Sequence, residues 1–127
     1  MAKNAITLKG NLTADPFFDY LDGKESPVPF MRFILAVDRH PPRRAGTDYL
    51  QVVAYGQTAE HDHAFLRQGS EILVEGWLRS RNGTDNDGQP AIRVEVVADE
   101  ITFLRNIAWE KGNEAWAAVQ QKLAPAA

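Results

Sequence analysis

Trp77, Arg79 and Arg81 alternate along the run Glu71-Ile72-Leu73-Val74-Glu75-Gly76-Trp77-Leu78-Arg79-Ser80-Arg81. At a strand's period of two they share one face with Leu73 and Glu75, while Ile72, Val74, Gly76, Leu78 and Ser80 take the other as a core face. An indole can stack on a nucleobase, and guanidinium groups in line with it can follow a phosphate backbone. A solvated strand face with one surface Trp would read the same way, so this strand alone leaves both readings open. Two more rings, Tyr49 and Tyr55, fall on one face of a neighbouring run with Gln51 and Val53, away from Leu50, Val52 and Ala54. Arg43 and Arg44 lie in a Pro/Gly-rich loop, where adjacent guanidinium groups suit an electrostatic funnel. Arg32 lies opposite Phe33 and Leu35, which we assign to the core, and is a further contact candidate.

Other chemistries find little footing. The chain has no cysteine, hence no disulfide, thiolate metal site or Cys nucleophile. His61-Asp62-His63 invites a metal reading, but neighbours on a helix point about 100° apart and do not converge on one ion. These three are expected to be exposed helix residues, and His40 a lone loop histidine. Asp85 and Asp87 sit on a hairpin tip, a solvated place poorly suited to shifting a carboxyl pKa. There is no phosphate-cradling Gly motif and no Ser in a nucleophile-elbow context. We expect no enzyme, no cofactor and no metal.

The elements that must position these residues read as follows. The chain has 127 residues, 44% hydrophobic and 24% charged, enough for one domain with a core and too few for two. No apolar run approaches the ~20 residues of a membrane span, and the N-terminus has no signal-peptide pattern; the expectation is a cytoplasmic, nucleoid-associated protein with no membrane partner. Asn4–Leu12, Phe30–Val37, Tyr49–Tyr55, Glu71–Arg81 and Ile92–Val97 read as five strands, the last with Ile92, Val94 and Val96 inward. Gln57–Gln68 reads as a helix with Thr58 at its start and Gly69 at its end. Five strands with one helix between the third and fourth is the element order of an OB-fold, although another small barrel could share it.

The C-terminal segment changes character. Trp109, Gly112, Trp116, Val119 and Leu123 fall in a/d register with Ala-rich flanks, predicting an amphipathic helix of about four turns. Its stripe needs a partner, either its own barrel or another subunit. We favour the second slightly, because a five-strand barrel has no spare groove for two Trp residues.

In their order and spacing, the blocks Gly10-Asn11-Leu12-Thr13-Ala14-Asp15-Pro16, Phe33–Val37, Val52–Glu60 with Phe65–Ser70, Val74–Arg81 with Thr84-Asp85 and Gly88-Gln89, and Val94–Glu100 resemble the bacterial single-stranded DNA-binding protein family. The resemblance covers about residues 4–104. It implies an OB-fold, a homotetramer, and binding of single strands without strong sequence preference. Two family ring positions fall on Tyr49 and Tyr55, and two strand arginines on Arg79 and Arg81. Gly83 stands where the family commonly has a hairpin aromatic, the His40-Pro41-Pro42 region where a loop Trp is frequent, and Gln51, Gln57 and Gln68 at places often basic. Trp77, on the face of Arg79 and Arg81, partly replaces a lost ring. The residues Leu123-Ala124-Pro125-Ala126-Ala127 do not resemble the family's long linker and acidic tip, so the match is to a variant without that tail. Tail-mediated recruitment of repair enzymes is not carried over.

The reading is therefore a mainly β chain. Residues 1–104 form a five-stranded OB-fold barrel that binds single-stranded DNA, and residues 105–127 form a helical extension. Tyr49, Tyr55 and Trp77 would stack on bases, and Arg79, Arg81, Arg43, Arg44 and Arg32 would meet phosphates, in DNA replication, recombination or repair. Trp109, Trp116, Val119 and Leu123 would meet a partner or another subunit. The net charge of −3 and the Gln substitutions favour an alternative, an OB-fold interaction scaffold of weak nucleic-acid affinity. An RNA-preferring OB-fold is a third reading, since a 2′-OH contact leaves no sequence trace.

Overall fold

The computed structural model describes residues 1–123, with side chains described through Gln121. In chain order the elements are β1 (Ile6–Leu12), β2 (Phe17–Leu21), β3 (Val28–Asp38), β4 (Thr47–Tyr55), α1 (Gly56–Asp62), β5 (Glu71–Thr84), β6 (Pro90–Arg105) and α2 (Trp109–Leu123). The sheet order is β1-β5-β6-β4-β3-β2, and an additional β1–β3 pairing closes a ring of hydrogen-bonded strands. All pairings are antiparallel except β4 with β6. The mainly β architecture, with one helix between β4 and β5 and another at the end, is the one expected of an OB-fold.

Period-two alternation builds the core. Met31, Phe33 and Leu35 of β3, Val52 and Ala54 of β4, and Ile72 and Val74 of β5 are buried in one cluster with Leu12, Phe65, Leu66, Val96 and Ile107. Each large aliphatic removed from water in this way contributes about 1.5–3 kcal/mol.

Five expectations are corrected. A sixth strand, β2, lies between the first two expected strands, in a stretch for which the sequence predicts no element. It is five residues long and pairs with β3 alone, too short for its own alternation to stand out. The helix α1 ends at Asp62 rather than Gln68. Thr58 does not cap it; its hydroxyl donates to Asp99 O at 3.3 Å, tying α1 to β6. The last strand begins earlier and ends later than expected, at Pro90 and Arg105. Its Ile92 and Val94 are not inward but 74% and 61% exposed. They lie on the part of the β5–β6 hairpin that runs toward its tip, where Leu78 is exposed too. The register slips between Glu75 and Gly76, and a Cβ on Gly76 would strike the Val97 carbonyl; a bulge of this kind re-aims the strand beyond it.

The helix α2 folds back on its own chain, the course the sequence left second. Asn106, at φ 57°, turns the chain out of β6. Its carbonyl accepts from Ser70 Oγ at 2.8 Å and Arg67 Nε at 3.2 Å, and Ala108 N donates to Phe65 O at 2.8 Å. Gly112 lies directly on the Phe65 ring, where any Cβ would overlap ring carbons. Trp116 is half-buried against the core cluster, Val119 is also half-buried, and Trp109 keeps an exposed face. The spare groove thus exists because residue 112 has no side chain. The Leu123 side chain lies outside the described residues. Among the described residues no helix is long and apolar enough to cross a membrane.

Candidate nucleic-acid interface

Strand pairing converts the alternating positions into rows across the face opposite the core. One row runs Phe17–Arg32–Val53–Val97–Trp77 over β2, β3, β4, β6 and β5. Beside it, Phe30 pairs with Tyr55. On the other side lie Ile34 with Gln51 and Glu95 with Arg79, then Tyr49 and the pair Arg81–Arg93. Trp77, Arg79 and Arg81 therefore share a face with Tyr49 and Tyr55, which their separate strand patterns could not establish.

The end of this face near the hairpin tip forms a groove of about 680 Å³ lined by Tyr49, Gln51, Arg81, Arg93, Glu95 and Ile34, among others. Arg81 and Arg93 are direct cross-strand neighbours. Like charges so placed repel, and an anion between them relieves that repulsion. The loop carrying Arg43 and Arg44 leaves the same end of the sheet, between β3 and β4. Its base is held by the Arg39–Asp48 ion pair at 2.7 Å and by Arg39 N donating to Gly46 O at 2.9 Å. Arg43 and Arg44 are exposed and, among the described residues, make no ion pair. The hairpin tip is held by Asp85, whose Oδ1 accepts from Asp87 N and Gln89 N, each at 2.9 Å.

Glu95, which the sequence reading did not single out, is the centre of the face. It is 3% exposed. Its Oε1 accepts from Arg79 Nε at 3.0 Å and from Arg79 Nη2, its Oε2 accepts from Gln51 Nε2 at 2.9 Å, and Arg81 Nη1 lies 3.8 Å away. Arg79 Nη2 also donates to Tyr55 Oη at 2.8 Å, with the guanidinium carbon 5.5 Å from the Tyr55 ring centre. Burial works to raise the Glu95 carboxyl, but the hydrogen bonds from Arg79 and Gln51 and the charges of Arg79 and Arg81 outweigh it, leaving its pKa below the ordinary value. The hydrogen bond to Tyr55, then that to Glu95, holds Arg79 protonated. The two arginines thus differ. The Arg79 side chain is 31% exposed and tied, whereas that of Arg81 is 64% exposed with a single long contact.

Arg93, Phe17 and Phe30 are also on this face and were not proposed as site residues. Arg93 shares the alternation of the last strand, but its partner depends on the hairpin register, in which Thr84 faces Pro90. Phe17 belongs to the strand that was not anticipated. Arg32 is brought in as expected, with its guanidinium carbon 4.8 Å above the Phe17 ring centre.

Trp109 and Trp116 lie elsewhere, with the histidines. His61, expected to be exposed, sits between rings: its centroid is 4.9 Å from Phe65, 6.4 Å from Phe103 and 4.9 Å from Trp116. His63 stacks on Phe18 at 3.6 Å. Asp62 is buried, and burial raises its carboxyl pKa against the opposing hydrogen bond with His61. His61 thus lies against β6 and α2 through Phe103 and Trp116 while keeping an exposed edge, and His63 lies against β2 through Phe18. Among the described residues, no group of three or more His, Cys, Asp or Glu side chains is placed to hold a metal ion.

A family model, the single-strand binding protein family, matches residues 3–104. The chain is 36% identical over 107 residues to the single-stranded DNA-binding protein of Thermotoga maritima, covering 80% of this chain and 73% of that protein. It is 36% identical over 106 residues to single-stranded DNA-binding protein 1 of Xylella fastidiosa, covering 80% and 76%. It is 34% identical over 103 residues to the single-stranded DNA-binding protein of Clostridium tetani, covering 80% and 70%. The match spans all six strands and the helix between β4 and β5 that together form the ring and its outer face. The chain belongs to the single-strand binding protein family, whose members are non-enzymatic DNA-binding proteins.

Proposed function

We propose that this protein binds single-stranded DNA without strong sequence preference along the outer face of its sheet, serving replication, recombination or repair. The observation that carries the reading is the groove in which Tyr49 meets Arg81 and Arg93, an exposed ring beside two opposed cations. Bases stack on Tyr49, Tyr55 and Trp77, and every base offers a π-face, so the binding is sequence-tolerant. Arg81 and Arg93 meet phosphate directly, Arg43 and Arg44 gather the strand from the loop, and Arg32 meets it at the far edge. Arg79 acts first on Tyr55, which it orients. The protein works as a homotetramer in the cytoplasm, on nucleoid DNA.

One observation favours the weaker-binding scaffold as a second reading. Glu95 is a carboxylate built into the middle of the face, and it opposes a polyanion. Local potential rather than net charge attracts the strand, and on balance the open cations at the groove outnumber this single carboxylate.

The test is Trp fluorescence on titration with a thymidine oligomer and with a duplex of equal length, at low and moderate salt. Quenching by the single strand alone, weakening as salt rises, is the expected result and puts a Trp near the bases, Trp77 being the one on the interface face. No response to either, with no gel shift, would favour the scaffold and turn attention to Trp109 and Trp116.

A further inference from the structure

We propose that the β2–β3 edge carries a separate stacking station, built from Phe17, Phe30 and Arg32, which takes further nucleotides of the same strand beyond Tyr55. The proposal rests on the reading of the outer face as a single-strand interface in which Arg32 meets phosphate, and extends it to two rings, Phe17 and Phe30, that have no role in that reading.

Three observations support it. First, the rings are continuous with the interface. Phe30 lies 5.3 Å from Tyr55 in a tilted contact, and Phe17 lies 6.4 Å from Phe30, edge to face. Second, Phe17 is 46% exposed on an edge strand, so a large part of its ring is left for a partner other than Phe30 and Arg32. Third, Arg32 stands over the Phe17 ring and, among the described residues, has no carboxylate within ion-pair distance. An aromatic ring with a free guanidinium against it is the pairing that single-strand sites use, the ring for a base and the cation for a phosphate. Asp19, the cross-strand neighbour of Phe30, has its Oδ1 engaged by Tyr20 N at 2.7 Å.

Distance makes this a second station and not a part of the first. From Tyr55 on β4 to Phe17 on β2 the sheet crosses two strand-to-strand steps, about 10 Å. A base stacked on Tyr55 does not cover that span, so Phe17 is reached only by a strand that passes Tyr55 and continues. A short oligomer settles on the stronger Tyr49–Tyr55 side and never needs the edge.

Length dependence supplies the test. Affinities of wild type, Phe17→Ala, Arg32→Gln and Tyr49→Ala are measured for thymidine oligomers from about 4 to about 16 nucleotides, the range of single OB-fold site sizes. The expected result is that Phe17→Ala weakens the long oligomers roughly five- to hundred-fold and leaves the shortest unchanged. Arg32→Gln should lower the salt dependence for long oligomers by about 0.7 in the log–log slope and not for short ones. Chemical unfolding of each variant checks that the fold survives; Arg32→Gln removes no ring and tests the site independently. If wild type and Tyr49→Ala differ but Phe17→Ala and Arg32→Gln match wild type at every length, the second station is overturned while the interface stands. If wild type binds no single strand of any length, the interface itself fails and the station with it.

Discussion

The outer face of the sheet and the seam beneath α2 are built from the same residue classes and do opposite things. In the seam, Phe65, Phe103, Trp109, Trp116 and His61 pack on one another, mostly edge to face or tilted. Each ring there has found protein as its partner, and such pairs are worth about 0.5–1.5 kcal/mol beyond their burial. On the outer face, Tyr49, Trp77 and Phe17 keep large exposed surfaces, and cations as well as the Phe30 ring lie against Tyr55 and Phe17. A count of aromatics does not separate these regions. What separates them is the company the rings keep: the seam holds rings and a histidine packed together, with Trp109 alone largely exposed, whereas the outer face sets exposed rings beside arginines, of which Arg32 and Arg81 are less engaged than Arg79.

If that contrast is right, damage to one region leaves the other's property intact. The largest effect belongs to the outer face. Tyr49→Ala with Tyr55→Ala should weaken single-strand affinity by roughly 2–6 kcal/mol, the sum of two stacking losses, measured by fluorescence titration. Unchanged affinity would remove stacking from the account. Next comes the seam. Gly112→Ala brings a methyl group into the Phe65 ring, and overpacking costs about 1–3 kcal/mol even though alanine favours a helix by up to about 1 kcal/mol over glycine. Urea unfolding should register the loss while oligomer affinity stays near wild type; a parallel fall in affinity would mean the regions are coupled.

Smaller effects sharpen the difference between the two strand-5 arginines. Arg81→Gln should lower the slope of log affinity against log salt by about 0.7, the value for one phosphate contact on a single strand. Arg79→Gln should move that slope less, because Glu95 already neutralises Arg79. Glu95→Gln should raise the slope by up to about 0.7, by freeing a cation for phosphate. The same variant has a pH signature. The folded-state pKa of Glu95 is lowered, so its stabilising contribution is full above the ordinary carboxylate range and is lost as pH falls through its depressed folded value. Wild-type and Glu95→Gln stabilities should therefore draw together on acidification. Curves that stay parallel would show that the carboxylate is not the source of the difference.

Much of the fold was legible because strand alternation is local. Ile72 and Val74 read as core and are, and Phe33 and Leu35 likewise. Tyr49 and Tyr55 read as sharing a face and do. What failed was each inference that extended a local pattern past what the neighbours support. Ile92 and Val94 continue the alternation of Val96, but they lie toward the tip of the hairpin and are not covered. His61 and Asp62 have the polar look of a solvated helix, yet Asp62 is buried and His61 sits among the rings of Phe65, Phe103 and Trp116. Five residues of β2 carry too short a pattern to be seen without β3 beside them.

The residue types and their spacing alone determined that the chain is mainly β, that a ring and two guanidinium groups share one face of β5, and that α2 has a hydrophobic stripe. Those are properties of single elements, set by backbone periods of 2 and 3.6. Tertiary structure decided which elements meet. Hairpin register put the buried Glu95 opposite Arg79, so that one of two similar arginines is tied and the other open. The absence of a side chain at Gly112 let α2 close on Phe65. Register and close approach depend on residues far apart in the chain, and no local period encodes them.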